Sequence, residues 1–279
     1  MGRTQKASWV GRIILHVALL IGLGISIFPL YWMAVMATNT TSDIYRVPPK
    51  LIFGANLRVN VGNVLADIDF FRAFFNTLLV SSVVTVLVLF FCSLAGFSFA
   101  KLDFPWKKPL FVLLIGTILL PSTGSVVASF EIMANLHWVG TFLPLIIPAA
   151  VPAFGIFWMR QYALIAIPDE LIEAVEIDGG GYLRQFWHVA LPALRPALGW
   201  LGMLTFINTW TDYYWPLIVL NDPKIYTLQV VLNQLNGIYS TDYSTVMAAT
   251  LMATLPLLIV FFLGARQFIA NVSAGALKF

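Results

Sequence analysis

The sequence is poor in charge and nearly free of cysteine. Charged residues make up 10% of the 279 residues, whereas 59% are hydrophobic and the mean hydropathy is +0.86. A soluble globular domain of this composition would leave much of its apolar surface without an interior to enter. The surroundings of most of the chain are therefore expected to be lipid. The single cysteine, Cys92, excludes an intrachain disulfide.

The sequence also lacks the motifs of several catalytic classes. No lysine is followed by Ser or Thr, so the phosphate-binding loop G-x-x-x-x-G-K-[ST] is absent. Neither H-E-x-x-H nor G-x-S-x-G occurs, and His16, His137 and His188 are too scattered to suggest a metal site. We expect no catalytic residue, no metal and no bound cofactor in this chain, and no cleavable signal peptide before its first apolar run.

Long apolar runs dominate what is present. A bilayer core about 30 Å thick needs roughly 20 helical residues to cross it, and six almost uncharged runs of that size occur. We place the spans at about 13–37, 74–100, 109–130, 142–160, 197–220 and 244–265. The sequence thus predicts an all-α polytopic membrane protein with a single transmembrane domain over residues 1–279.

The basic residues predict its orientation, because cytoplasmic loops retain Lys and Arg. With the N-terminus inside, eleven of the sixteen Lys and Arg residues fall on the cytoplasmic side and five outside. Six crossings then return the C-terminus to the cytoplasm. The polar segment at about 161–196, between spans four and five, also lies inside.

The polar segment at about 161–196 contains a regular pattern of charged and apolar residues. Residues 168–178 read P-D-E-L-I-E-A-V-E-I-D, in which most carboxylates and apolar side chains fall on opposite sides of a helix; only Ile177 breaks the pattern. Gly179 then provides a turn that needs positive φ. We predict a short amphipathic helix, a turn, and a second helical piece ending near Pro192. Because so short a segment cannot cover the apolar side of this helix, we expect the helix to dock on another chain.

Two features interrupt the later spans. Pro144, Pro148 and Pro152 recur every four residues and predict a kinked or partly unwound fourth span, either a cavity wall or gate or a packed kink. In the fifth span, Asn208, Asp212 and Trp215 share one helix face. An amide, a carboxylate and an indole suit a pathway for a polyhydroxylated solute. The alternative is an interhelical polar contact or a hydrated outer position.

The central segment resembles a signature of permease subunits of binding-protein-dependent ABC importers, E-A-A-x-x-x-G followed, after nine intervening residues, by I-x-L-P. Here Glu173, Ala174, Gly179, Leu191 and Pro192 match in type and spacing, and Asp178 precedes the glycine. Val175 stands where the second Ala is usual, and Val189 replaces Ile. Both substitutions are small and apolar, so they preserve the expected docking shape.

The rest of the chain resembles the carbohydrate branch, and within it the smaller permease of maltose-type importers. The matching segments are F-A-K-L-D-F-P at 99–105, F-W-M-R-Q-Y at 157–162, W-T-D-Y-Y-W-P-L at 210–217 and G-A-L-K at 275–278. Thr211 stands where Asn is usual, and Asn271 replaces a glycine. Because Asn271 replaces this glycine, contacts between the C-terminal tail and the ATPase stay an open question.

The resemblance implies a bacterial inner-membrane assembly of the type I importer class. Its partners would be a second homologous permease, two subunits that bind ATP and Mg, and an extracytoplasmic solute-binding protein; no nucleic acid is involved. The expected solute is a di- or oligosaccharide. The residues that the resemblance assigns to ATPase coupling are Glu173, Ala174, Val175, Asp178, Gly179, Leu191 and Pro192.

Other functions stay open. Because importers share the coupling signature, the solute is alternatively a polyol phosphate, an amino sugar or a polyamine. An ion-coupled secondary transporter would need internal coupling sites, whereas this sequence has a single acid within its spans and no evident inverted repeat. A membrane scaffold or receptor would not need a proline-broken span.

Overall fold

The computed structural model describes residues 9–120, 122–237 and 241–276, and within these ranges the chain forms helices and turns with no strand. The predicted all-α class is confirmed. The helices in the described ranges are α1 (Trp9–Thr38), α2 (Thr41–Tyr45), α3 (Leu57–Asp67), α4 (Phe70–Lys101), α5 (Lys107–Ile118), α6 (Val126–Asn135), α7 (Leu143–Ile146), α8 (Ala153–Ala166), α9 (Asp169–Ile177), α10 (Tyr182–Gln185), α11 (Leu191–Thr211), α12 (Tyr214–Val219), α13 (Leu228–Asn233) and α14 (Tyr243–Ala276).

Among the described residues, five helical segments are long and apolar enough to cross a membrane. They are Gly11–Thr38, Phe70–Lys101, Leu143–Ala166, Tyr182–Thr211 and Tyr243–Gly264. The predicted third span, 109–130, is divided instead between α5, a 3₁₀ turn at Ser122–Ser125 and α6. The 12 residues of α5 rise only about 18 Å. The sequence P-S-T-G at 121–124 explains the division, because Pro and Gly both disfavour a continuing helix.

The internal contacts divide the chain into two compact units. In the larger unit, 69–233 and 255–279, α4 packs against α8 and α11 around a buried apolar row that includes Val84, Val88 and Cys92. Gly96 permits this approach, because an added Cβ there would lie 2.5 Å from the Cβ of Met159. Small residues at such crossings are how helices pack closely in lipid, where apolar surfaces have no hydrophobic drive to associate.

The smaller unit contains residues up to 68 and 234–254. Its polar contacts gather where α1 ends and α14 begins. The amide of Asn60 donates hydrogen bonds to the carbonyls of Ala37, at 2.8 Å, and Asn39, at 2.9 Å. The carboxylate of Asp242, just outside α14, accepts from the hydroxyls of Thr41 and Ser244. Burial raises the pKa of Asp242, but hydrogen bonds to its carboxylate outweigh burial and lower it to about 2.

Two helix ends differ from the sequence prediction. The second helical piece of the 161–196 segment does not end near Pro192: α10 continues through a π-helical turn at Phe186–Ala190 into α11. Pro192 has no N–H for the carbonyl of His188, and the wider turn absorbs that defect without stopping the helix. At the other end, α11 stops at Thr211, because Asp212 adopts an extended backbone (φ −68°, ψ 123°).

Candidate functional site

The segment from α9 to α10, residues 169–185, forms a helical hairpin, here called the docking hairpin. Its turn depends on Gly179, whose φ of +74° confirms the predicted left-handed conformation. The N–H groups of Gly179 and Gly180 donate to the carbonyls of Glu176, at 2.9 Å, and Val175, at 2.7 Å. These bonds satisfy carbonyls that the end of α9 leaves open, as in a Schellman cap.

Only one side of α9 packs onto the rest of the chain. Ile172 is buried and Val175 half-buried, whereas Leu171 is 50% exposed. Ile177, the residue that broke the amphipathic pattern, is 87% exposed. The predicted division into an acidic face and an apolar docking face is therefore wrong in detail. The apolar residues divide between an inner contact and an outer surface.

The predicted coupling residues occupy two places. Glu173, Ala174, Asp178 and Gly179 are exposed on the outer part of the docking hairpin. Val175 lies beneath them, with its side chain against Gly180. Leu191 and Pro192 belong instead to the first turn of α11, where Leu191 packs on the core. The sequence signature thus combines an exposed tip with the base from which α11 continues.

An ion pair that the sequence did not predict anchors the start of α9. Lys101, the last residue of α4, places its Nζ 2.6 Å from Oδ1 of Asp169. The lysine side chain is only 7% exposed, whereas that of Asp169 is 76% exposed. A nearly buried ammonium group needs a charged partner, and each charge also complements the dipole of its own helix end. The pair therefore ties the docking hairpin to α4, the helix that packs against α8 and α11.

A second contact links the two halves of the hairpin. Nε2 of the buried Gln185 in α10 donates to Oε1 of Glu176 in α9 at 3.1 Å. Glu176 and Asp169 thus both make contacts within this chain, and Glu170 and Glu173 are the other exposed carboxylates of α9. The hairpin is held at both ends of α9, while its tip presents apolar side chains.

Arg160, at the predicted entry to this segment, joins the same region. Its Nε donates to the carbonyl of Phe99 at 3.1 Å, and its guanidinium carbon lies 4.1 Å from the centre of the Phe111 ring. A guanidinium group placed over the face of an aromatic ring is stabilising where the pair is shielded from water. The last turn of α4 therefore contacts α5 and α8 two residues before Lys101, which anchors the docking hairpin.

The proline-rich segment forms a broken helix, as predicted, and contributes to a cavity wall. α7 stops at Ile146, a 3₁₀ turn covers Pro148–Ala150, and α8 begins after Pro152. Pro148 cannot donate to the carbonyl of Pro144. The indole Nε1 of Trp215 supplies the donor instead, at 3.0 Å. The polar edge of Trp215 therefore supports the break and is not available to a solute.

Asp212 marks another break, at the C-terminal end of α11. Its carboxylate accepts hydrogen bonds from the backbone N–H groups of Tyr214 and Trp215, at the start of α12. The fifth span is therefore not one helix through residue 220, and the predicted shared helix face does not exist. Asn208, Asp212 and Trp215 nevertheless line one cavity, at the extended connection between α11 and α12.

Two cavities flank this break. The first has a volume of about 440 Å³ and the second about 400 Å³. Pro148, Asp212 and Trp215 line both. The remaining residues of the first cavity are Thr77, Val80, Pro144, Leu145, Ala149, Asn208, Thr209, Pro216 and Thr227, and those of the second are Ser125, Val126, Ser129, Met133 and Tyr214. Interrupted segments from the third, fourth and fifth predicted spans thus meet at one place.

The fold and these two regions describe a helical membrane protein with an exposed hairpin and an internal cavity. The chain belongs to the family of inner-membrane components of binding-protein-dependent transport systems, whose model matches residues 68–273. The resemblance drawn from the sequence is confirmed.

Curated relatives extend over nearly the whole chain. It is 34% identical over 248 residues to the lactose transport system permease protein LacG of Rhizobium radiobacter, covering 89% of this chain and 90% of the relative. It is 30% identical over 272 residues to the sn-glycerol-3-phosphate transport system permease protein UgpE of Agrobacterium fabrum, covering 94% and 96%. The arabinooligosaccharides transport system permease protein AraQ of Bacillus subtilis is 29% identical over 260 residues, covering 90% of each chain.

A solved structure shares the fold. A chain from the crystal structure of a bacterial ABC transporter involved in the import of the acidic polysaccharide alginate superimposes with a TM-score of 0.81. The alignment covers 95% of this chain and 99% of that one, at 21% sequence identity. The helical architecture is therefore that of an ABC transporter chain.

Proposed function

We propose that this chain is the permease subunit of an ATP-driven, binding-protein-dependent sugar importer, in which a separate subunit hydrolyses ATP. The lactose and arabinooligosaccharide permeases among its relatives support a di- or oligosaccharide as solute. The observation that carries the coupling role is the docking hairpin, which is anchored to α4 through Lys101 and Asp169 and exposes Leu171 along α9 and Ile177 at its tip. An exposed apolar tip on a fixed base suits contact with a moving partner.

The topology that fits this role has six crossings. The five long segments form one crossing each, and α5 with α6 forms the remaining, interrupted one. An even number places both termini on the same side, and the distribution of Lys and Arg favours the cytoplasm. The docking hairpin then also faces the cytoplasm, in the bacterial inner membrane. Backbone breaks in a crossing are tolerated where they face protein or a cavity rather than lipid.

In this proposal the seven signature residues have different roles. Ala174 leaves space for a close approach, Gly179 sets the turn, and Glu173 and Asp178 offer carboxylates to the partner. Val175 supports the tip from beneath, and Leu191 with Pro192 connects the hairpin to α11. The chain itself binds no cofactor, because ATP and Mg belong to the two partner subunits. Motion of these subunits would reach the spans through the anchored hairpin.

The cavity beside Asp212 is the proposed solute pathway on this chain. Asn208 and the Asp212 carboxylate supply polar contacts, and Trp215 supplies an aromatic face. Such a mixture suits a polyhydroxylated solute. A second permease would complete the path, and an extracytoplasmic binding protein would deliver the sugar from the outer side.

Copurification tests the proposal. The native complex, captured through this chain in mild detergent, should contain a second permease and a nucleotide-binding subunit in stoichiometric amounts. Ala174→Arg adds bulk and charge at the exposed tip and should reduce recovery of the nucleotide-binding subunit at least about tenfold, without reducing that of the second permease. Gly181→Ala is a matched control, because an added Cβ there meets nothing within 4 Å. Equal recovery with Ala174→Arg would exclude this docking surface.

A further inference from the structure

We infer that the cavity beside Asp212 selects solutes by charge: it is a subsite for a neutral polyhydroxylated solute and rejects phosphorylated or uronic acids. The inference rests on the proposed solute pathway and deepens it. The relatives differ on this point, because the lactose and arabinooligosaccharide systems carry names of neutral sugars, whereas the sn-glycerol-3-phosphate system is named for an anion.

The first support for the inference is the charge of the residues that line the two cavities. Among the described residues that line the two cavities, none is Lys, Arg or His, and Asp212 is the only acid. A phosphate or carboxylate moved away from water needs a positive partner or several N–H donors. Here it would meet a carboxylate in the wall shared by both cavities. In a site of low dielectric, that repulsion is stronger than in bulk water.

The polar groups that are present suit hydroxyl groups. The first cavity contains the amide of Asn208 and the hydroxyls of Thr77, Thr209 and Thr227. Thr227 is 5% exposed, and its Oγ1 has no hydrogen-bond partner in the described part of the chain. A buried hydroxyl without a partner costs free energy, so a solute hydroxyl or a water that reaches it is favoured.

The backbone around Asp212 limits what its carboxylate can do. The N–H groups of Tyr214 and Trp215 already donate to it, and the Trp215 indole donates to Pro144. These donors are therefore engaged within the chain and do not form an anion-binding nest. The carboxylate keeps acceptor capacity for solute O–H groups, since a carboxylate accepts about four hydrogen bonds.

A charge-reading experiment tests the inference without knowledge of the natural solute. Asn208→Cys places an exposed thiol in the cavity, while the native Cys92 is buried and provides the background in the unmutated protein. In the assembled importer, the modification rates of this thiol by a cationic and by an anionic methanethiosulfonate reagent of similar size are measured. Their ratio is divided by the ratio for a free thiol in the same buffer.

The normalised ratio of cationic to anionic rates should be about tenfold or more, because the carboxylate attracts one reagent and repels the other. Asp212→Asn should bring the ratio close to 1. Asp222→Asn is the matched control, since Asp222 is an exposed carboxylate that lines neither cavity, and it should leave the ratio unchanged. A normalised ratio at or below 1, or one that Asp212→Asn does not change, would overturn the inference.

A solute arm completes the test. Lactose and a panel of neutral oligosaccharides are compared with sn-glycerol 3-phosphate, a uronate disaccharide and spermidine for their ability to slow labelling of Asn208→Cys. Protection by a neutral member alone supports the inference, and equal or stronger protection by a charged member contradicts it. A complex that imports an anion overturns the charge selection but leaves the permease function intact, whereas a chain that forms no complex with an ATPase overturns the proposed function.

Discussion

The docking hairpin and the cavity lie at opposite ends of α11, and they are built in different ways. The hairpin is held by contacts between side chains, Lys101 with Asp169 and Gln185 with Glu176. The cavity lies at backbone breaks, and at one of them the side chain of Trp215 donates to the carbonyl of Pro144. We expect the first arrangement to transmit displacement, whereas the second leaves a cavity with polar side chains inside an apolar fold. The 21 residues of α11 separate them by about 30 Å.

The largest expected effect comes from the hairpin turn. Gly179→Pro forces φ to about −65° where the chain needs +74°, and it removes the N–H that donates to Glu176. We expect uptake in proteoliposomes to fall at least about a hundredfold, together with transport-coupled ATP hydrolysis. Membrane insertion, measured by the yield of monodisperse protein, should stay intact.

One result would contradict this role of Gly179. Wild-type uptake by Gly179→Pro would mean that the turn does not set the position of the hairpin tip. Gly181→Ala again serves as the control, because Gly181 has an ordinary negative φ of −81°.

A smaller effect is expected from the anchor of α9. Lys101→Met keeps the aliphatic part of the side chain but removes the charge, and should lower uptake about tenfold while ATP hydrolysis by the complex falls less. Lys101→Arg should recover most of the uptake, since it restores a cation near Asp169. The signature of a coupling role is the changed ratio of sugar imported to ATP hydrolysed.

Lys107→Met is the matched control for the anchor. Lys107 pairs with Asp103 at 3.4 Å within one local turn and makes no ion pair with α9. Its substitution should leave the ratio within about twofold of the unmutated complex. Equal ratios for Lys101→Met and the unmutated protein would reduce the anchor to a structural contact.

The smallest effect is expected at the cavity. Trp215→Phe keeps an aromatic ring but leaves the Pro144 carbonyl without its donor, at a cost of about 1 kcal/mol. We expect the apparent KM for uptake of the transported sugar to rise about threefold to tenfold with an unchanged ratio of import to ATP hydrolysis. Trp158→Phe is the control, because its Nε1 has no partner among the described residues. A change in coupling ratio without a change in KM would reverse the assignment of the two regions.

Local features of both regions followed from the sequence. Gly179 at the end of an acidic helix predicted a left-handed turn, and three prolines at four-residue spacing predicted a broken span. Both depend on the backbone preferences of single residues, which act wherever the chain is placed. The signature residues were likewise identifiable because their spacing lies within one hairpin and the start of one helix.

The features that were missed depend on distant contacts. Lys101 and Asp169 are 68 residues apart, and nothing in either segment identifies the other as its partner. Ile177 broke the helical pattern because it lies on the outer surface, whereas Ile172 packs inward; which side is covered depends on α4, α8 and α11. The end of α11 at Thr211 is an exception, because it depends on a local contact: the Asp212 carboxylate binds the backbone of the next turn, which competes with continuation of the helix.

The most direct test of the account is a crosslink from the hairpin tip. Ile177→Cys, at a position 87% exposed, should react through a short bifunctional thiol reagent with cysteines placed in the surface cleft of the nucleotide-binding subunit. The crosslink should form in the assembled complex, stop sugar uptake, and be reversed by reduction when the reagent contains a disulfide. No crosslink at any cleft position in an actively transporting complex, or full uptake with the crosslink in place, would contradict the claim that this hairpin carries the coupling.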